Sequence, residues 1–288
     1  MRAFHSTWTG PFFKSQKGDF YVEDFELLTT ILSALKWQEL NGDIKMITDA
    51  VGAAYYRQLG LENLWNLGIE EGLSDIDPAI DPKVFWAAGK LYALEQEEAP
   101  CVMIDTDFIV WQNVEEILKQ HSICVIHREE ISENVYPRQE FLQMETTYNA
   151  FSRWDWEIKP CNTAFMYIGD ETFKSLYVEE AKAFMKAARG NNPLIYMVFA
   201  EQRLLAMCAK EKQKDIFAFA EVEALFDERQ TMFTHIWGHK RYLRTHPQER
   251  IAFCQRCMRR IQKDYPEFYK AVVLNIEALK QYHQEVSI

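Results

Sequence analysis

At 288 residues, with 48% hydrophobic and 26% charged positions and only 11 Gly and 9 Pro, the chain has the composition of a globular protein with a sizeable core, which excludes a disordered or low-complexity polymer. Its net charge of −11 argues against a general nucleic-acid binder, which needs a basic surface facing phosphate. No stretch approaches the roughly 18 apolar residues of a membrane span, and residues 1–9 hold no long apolar run, so the expectation is a soluble cytoplasmic protein without a secretory signal.

In chain order, short apolar runs at 2–8, 44–47, 101–104, 122–126 and 163–168 read as buried strands. A helix starting near Asp19 follows the first run, with Phe25, Leu28, Leu32 and Leu35 on one face. The acidic, proline-containing segment 70–82 reads as a surface loop. Helical patterns occupy 84–96, 171–188 and 193–210, the last with Pro193 in its first turn, where a missing N–H costs nothing. A final amphipathic helix is expected over 265–284. Strands alternating with helices predict an α/β fold with a mainly parallel sheet flanked by helices. The expected organisation is a Rossmann-like unit over 1–246 with a C-terminal helical extension over 247–288. In such sheets ligands bind at the carboxyl ends of the strands, so the polar residues directly after the apolar runs matter most.

The six cysteines sit mostly singly in apolar contexts, as expected of reduced thiols. Cys254 and Cys257 have metal-finger spacing, yet no second ligand pair follows, and a helix carrying two small apolar residues is the better reading.

Two clusters carry chemistry. The run 101–104 leads into Asp105 and Asp107, which in extended chain would point to the same side and could share a hard divalent cation, or divide between a metal and substrate hydroxyls. An acidic turn after a strand is the plain alternative. Downstream, His235, Gly238 and Lys240 fall within six residues. The glycine permits close approach or a positive φ, the lysine supplies a point charge for phosphate, and His235 could complete the metal shell begun by the aspartates. A structural role for a lone histidine is again the alternative.

Asp105-Thr-Asp107 after an apolar strand, with His235-x-x-Gly238-x-Lys240 far downstream, resembles glycosyltransferases of the glycogenin and lipopolysaccharide-galactosyltransferase type, and glycosyltransferase-like proteins of bacterial polysaccharide clusters. Asn162 leading into an apolar run, the Glu201-Gln202 pair in a helix, and Lys90 fifteen residues before Asp105 match the same pattern in order and spacing. The resemblance covers about residues 84–243. It implies a GT-A fold and a nucleotide diphosphate sugar, typically a UDP-sugar, bound through Mn2+ or Mg2+. It implies metal binding by Asp105, Asp107 and His235, with Asp105 also touching the donor. Gly238 and Lys240 would meet the diphosphate and Lys90 the donor's sugar or phosphate. Asn162, Glu201 and Gln202 would surround the transferred sugar, with retention of anomeric configuration. Departures are Arg241-Tyr242 where the family continues Pro-Trp, Glu201 where it has Asp, and a start, residues 5–10, that does not match closely. Trp8 could stack on the base or simply fill the core.

A phosphatase of the haloacid-dehalogenase type also uses Asp-x-Asp after a strand, with Gly169-Asp170 as a conceivable later motif. It places that motif after its first strand and has no use for His235-x-x-Gly238-x-Lys240. A non-catalytic nucleotide- or sugar-binding protein is the third reading. A dehydrogenase lacks its Gly-x-Gly-x-x-Gly. The expected partners are a nucleotide-sugar donor and a glycan or lipid-linked acceptor. The basic stretch 240–263, eight Lys or Arg against Glu249, is either a peripheral membrane contact or a solvated helix.

Overall fold

The computed structural model describes residues 1–226 and 230–283. The strands are β1 (Ala3–Thr7), β2 (Ile44–Thr48), β3 (Ile69–Glu70), β4 (Cys101–Ile104), β5 (Phe108–Val110), β6 (Ile123–Val125), β7 (Phe165–Ile168), β8 (Phe217–Ala218) and β9 (Phe233–His235). The helices are α1 (Gly10–Ser15), α2 (Asp24–Leu40), α3 (Ala50–Gln58), α4 (Ala88–Gln96), α5 (Glu115–Leu118), α6 (Glu171–Ala187), α7 (Pro193–Val198), α8 (Leu204–Glu211), α9 (His239–Thr245), α10 (Pro247–Asp264) and α11 (Pro266–Ala271).

Seven strands form one sheet in the order β3-β2-β1-β4-β7-β6-β8, and β5 and β9 form a separate antiparallel ribbon. The main sheet is parallel except for β7, which runs against both β4 and β6. This is the mostly parallel α/β sheet flanked by helices that the alternation predicts. Each face carries its own core. Phe25, Leu28, Ile31 and Trp37 of α2 pack on one side with Cys254, Met258 and Ile261 of α10. Leu91 of α4, Phe184 of α6 and Leu205 of α8 pack on the other.

All five anticipated strands form within two residues of their expected ends; the helices need more correction. The helix expected near Asp19 begins at Asp24, because the backbone at Val22 is bonded sideways to the Tyr55 hydroxyl instead of to a helical turn. Its acidic first turn, Asp24 and Glu26, suits the positive end of the helix. The helix expected from 84 starts at Ala88, since Asp81 first closes a turn by accepting the Val84 and Phe85 N–H groups. The run 193–210 is helical, but widens into a π segment over Phe199–Arg203 between α7 and α8.

The expected helix over 265–284 is not one helix. It ends at Ala271 and continues as 3-10 turns over Val273–Asn275 and Glu277–Tyr282; Gln284 lies outside the described residues. The buried positions Val273, Ile276, Leu279 and Tyr282 recur every third residue. Three per turn is the period of a 3-10 helix, so this geometry keeps them all on one side.

Candidate active site

Following β4, the chain turns at Asp105–Asp107, and the Phe108 N–H closes the turn on the Asp105 carbonyl at 3.0 Å. The aspartates are therefore not an extended strand end, as their spacing suggested; a tight turn presents them. Beyond it, β5 pairs with β9 so that Phe108 stands opposite His235. This pairing joins two segments more than 120 residues apart. It leaves ligand atoms of Asp105, Asp107 and His235 all within 4.8 Å of one another. Among the described residues this is the one such group of three or more His, Cys, Asp or Glu side chains.

Two lysines hold the aspartates. The Lys90 ammonium lies 2.6 Å from Asp105 Oδ1 and 2.8 Å from Glu201 Oε1, which also accepts the Thr163 hydroxyl at 2.8 Å. The Lys240 ammonium lies 3.0 Å from both Asp107 Oδ2 and Glu26 Oε1. Four carboxylates thus face two ammonium groups, with Glu26 further shared between Lys240 and Arg244. The cluster keeps a negative excess. Asp105 Oδ1 is buried and, despite its nearness to Lys90, takes no hydrogen bond of acceptable angle. Two carboxylates beside a neutral imidazole, their oxygens and ring nitrogen within 4.8 Å of one another, are a donor set that suits a hard or borderline divalent cation.

The titration behaviour agrees. Burial, opposed by Lys90 and reinforced by Asp107 and Glu201, pushes Asp105 up to about 7. Burial also disfavours charge on Asp107, but Lys240 and His235 outweigh it and hold this carboxyl below its usual range. For Lys90, burial pulls downward and Asp105 and Glu201 pull further upward, so the ammonium keeps its proton. Burial lowers His235 to about 4 against the pull of Asp107, leaving a neutral ring with a lone pair at pH 7.

The two aspartates and two lysines line a cleft of about 320 Å3 at the carboxyl ends of β1 and β4. From β1 the chain steps outward to β2 and β3, then returns to place β4 on the other side of β1. That reversal opens a crevice between the two strand ends, the ordinary ligand position in open α/β sheets. Its walls include Thr7, Trp8, Tyr56 and Trp86 with Lys90, Asp105, Asp107, Glu26 and Lys240. Trp8 fits because two glycines make room: a Cβ on Gly89 would lie 2.6 Å from Trp8 Cβ, and one on Gly10 would lie 2.6 Å from the indole ring. Behind the turn a buried chain of hydrogen bonds fixes β5. Trp65 Nε1 donates to His5 Nδ1 at 3.1 Å, so His5 Nε2 donates to Ser33, and Ser33 donates to the Phe108 carbonyl at 2.5 Å.

Of the residues singled out from sequence, Trp8, Lys90, Asp105, Asp107 and Lys240 share the cleft, and His235 joins the aspartates. Gly238 precedes α9 with an ordinary φ of −72°, so no positive φ requires glycine there; open space lies where a side chain would be. Asn162, Glu201 and Gln202 are not on the cleft wall. Asn162 donates to Glu129, and Gln202 accepts the Tyr136 hydroxyl at 2.5 Å. Glu201 sits buried behind Lys90. Asn162 is near because β7 runs backwards: Ile104 pairs with Phe165, so residues 162–164 reach the end of the sheet that bears Asp105, and the Asp105 N–H bonds to the Ala164 carbonyl. The same reversal pairs Cys101 with Ile168 and puts Asp170 at the opposite end, where it caps α6 and pairs with Lys214. The phosphatase reading loses its second acidic motif.

Glu26, Tyr56, Trp86 and Thr163 were not anticipated; their sequence neighbourhoods carry no chemical signature. Gly89, adjoining Lys90, was the one legible signal that went unread. Cys254 and Cys257 are buried one turn apart on α10, with both thiols pushed well up by burial, as apolar helix residues. All six cysteines are free.

Fold and cleft together define an α/β protein with a carboxylate–imidazole cluster and two lysines at the switch point of its sheet. The chain belongs to the Family of unknown function (DUF6734), whose model matches residues 1–275. No curated protein matches it. Among solved structures it is similar to mouse xyloside xylosyltransferase 1 in its apo form, at 9% identity over 76% of this chain and 84% of that one, TM-score 0.39. It is also similar to HddC from Yersinia pseudotuberculosis, at 10% identity over 82% and 93%, TM-score 0.37. A third is an active-site mutant of LgtC, at 10% identity over 76% and 72%, TM-score 0.36. At such values a shared activity does not follow. No helix among the described residues is long and apolar enough to cross a membrane.

Proposed function

We propose that this protein is a glycosyltransferase that moves a sugar from a nucleoside diphosphate sugar to a hydroxyl acceptor, with a divalent cation, Mn2+ or Mg2+, held by Asp105, Asp107 and His235. The observation that carries the reading is the gathering of these ligand atoms within 4.8 Å beside a cleft walled by aromatic rings and two lysines.

When bound, the cation would neutralise charge on the diphosphate. The chain's own groups do the rest. Lys240, anchored by Asp107 and Glu26, presents a fixed positive charge to the leaving diphosphate, where negative charge develops as the glycosidic bond breaks. Trp8, braced against Gly10 and Gly89, offers an aromatic face to the base, for which uracil is the expectation. Lys90 points into the cleft and takes the donor's sugar or phosphate, while Glu201 behind it fixes its position. Asn162 and Gln202, held through Glu129 and Tyr136, stand at the same end of the sheet and are assigned to the sugar side. Retention of anomeric configuration is part of the proposal; an inverted product would sink that part.

Thermal unfolding with Mn2+ and UDP, beside Asp107→Ala, tests the core claim. At a nucleotide concentration a hundredfold above Kd, binding stabilises by about 2.7 kcal/mol. That is about 5 °C for a chain of this length. The shift should need both metal and nucleotide and vanish in the variant. No shift with any nucleoside diphosphate would end the transferase reading.

A further inference from the structure

The basic stretch 240–263 divides in two. Lys240, Arg244 and Arg250 are paired with Glu23, Asp24, Glu26 and Asp107, with Arg244 still half exposed, and Arg241 is exposed. Arg256, Arg259, Arg260 and Lys263 are exposed on α10, and their spacing of three, four and seven residues sets them along one face. Beside this face opens a second cavity, of about 290 Å3, between α2, the β5–β9 ribbon and α10. Its floor is Leu32, Ile109, Trp111, Phe253 and Cys257, with Arg256 and Arg260 at the rim. The volume is close to the lower end for small-molecule sites, about 300 Å3.

Thr234 Oγ1 accepts the Trp111 indole N–H at 2.7 Å, and the Cys257 thiol is neutral. The surface that the floor offers is mainly carbon and suits hydrocarbon. The rim is cationic: Arg260 lies over the Trp111 ring at 4.8 Å and Arg256 over Phe253 at 5.8 Å. Asp264 is the acid in contact with Arg260 and also pairs with Lys36. Aromatic rings flanked by arginines around an apolar hollow match the boundary between lipid headgroup and acyl chain.

We propose that this cavity and the basic face of α10 bind one lipid of an anionic membrane surface, with the acyl chain in the hollow over Trp111 and the phosphate on Arg256 and Arg260. The proposal does not depend on the transferase reading. It has a geometric consequence, because Asp107 leads into β5 and His235 closes β9, so the ribbon that covers the lipid also carries the candidate metal ligands.

The test is sedimentation of the full chain with phosphatidylglycerol vesicles and with phosphatidylcholine vesicles at low salt. It is paired with quenching of tryptophan fluorescence by phosphatidylglycerol brominated along its acyl chain. Binding to the anionic vesicles only is expected, falling roughly tenfold or more in Arg256→Glu/Arg260→Glu. Bromolipid quenching should be present in the wild type and reduced in Trp111→Phe, which keeps an aromatic ring in place. Equal binding to both vesicle types, or none to either, overturns the proposal. Anionic binding whose quenching is the same in Trp111→Phe overturns the acyl-chain site and leaves adsorption by charge alone.

Discussion

Replacing Lys90 by methionine separates a packed site from a loose one. Methionine nearly matches the lysine stem in length but removes the ammonium shared by Asp105 and Glu201 at 2.6 and 2.8 Å. Glu201 is 2% exposed in its side chain, so solvent cannot replace the lost partner. Breaking one side of a buried ion pair costs about 3–5 kcal/mol, because the remaining charge stays desolvated. For this chain that corresponds to a fall in Tm of about 6–10 °C at pH 8. Adding Glu201→Gln should recover about 1–2 kcal/mol, since the carboxamide oxygen still accepts the Thr163 hydroxyl and no unpaired charge remains. Calorimetric unfolding of wild type, both single variants and the double variant closes the cycle. A loss below about 1 kcal/mol for Lys90→Met, or strict additivity in the double variant, would refute the picture of Lys90 as the buried clamp between the two carboxylates.

Burial depresses His5 to about 3, only partly offset by Asp107, whereas the unfolded chain titrates near 6.5. Between those values the unfolded state binds more protons, so stability should rise with pH through the window and be lost as pH falls through it. His5→Gln should flatten the slope by up to about 1.4 kcal/mol per pH unit, read from urea unfolding at pH 4 to 6.5; an unchanged slope would mean another group titrates. Gly89→Ala should cost about 1–3 kcal/mol by forcing Trp8 aside and weaken nucleotide binding with it, while Gly60→Ala, where no atom lies within 4 Å, should spare binding; calorimetry with and without UDP reads both effects, and unaltered affinity in Gly89→Ala would remove Trp8 from the donor site.

Five of the nine strands among the described residues could be placed from the sequence alone, whereas the short β3, β5, β8 and β9 could not. Runs such as Cys-Val-Met-Ile at 101–104 are apolar at every position, and a strand covered on both faces needs that. Charged residues directly after such a run mark Asp105 and Asp107, and close spacing marks His235 and Lys240, before any geometry; Lys90 enters only through the family resemblance. Strand direction could not be read, since an apolar run has the same pattern in either sense. Only the antiparallel course of β7 shows why Asn162 and Thr163 approach Asp105 while Asp170 is carried to the far end. Pairing across long separations was equally invisible. Glu26 meets Lys240, and Arg250 meets Asp24, because α10 packs on α2. The basic stretch is therefore uniform in sequence, and folding sets Lys240, Arg244 and Arg250 against the acids at the start of α2 while Arg256, Arg259, Arg260 and Lys263 lie on the exposed face of α10. Local composition sets which residues prefer to be buried, whereas the contact that satisfies each charge depends on chain closure over more than a hundred residues, and only the folded structure decides that.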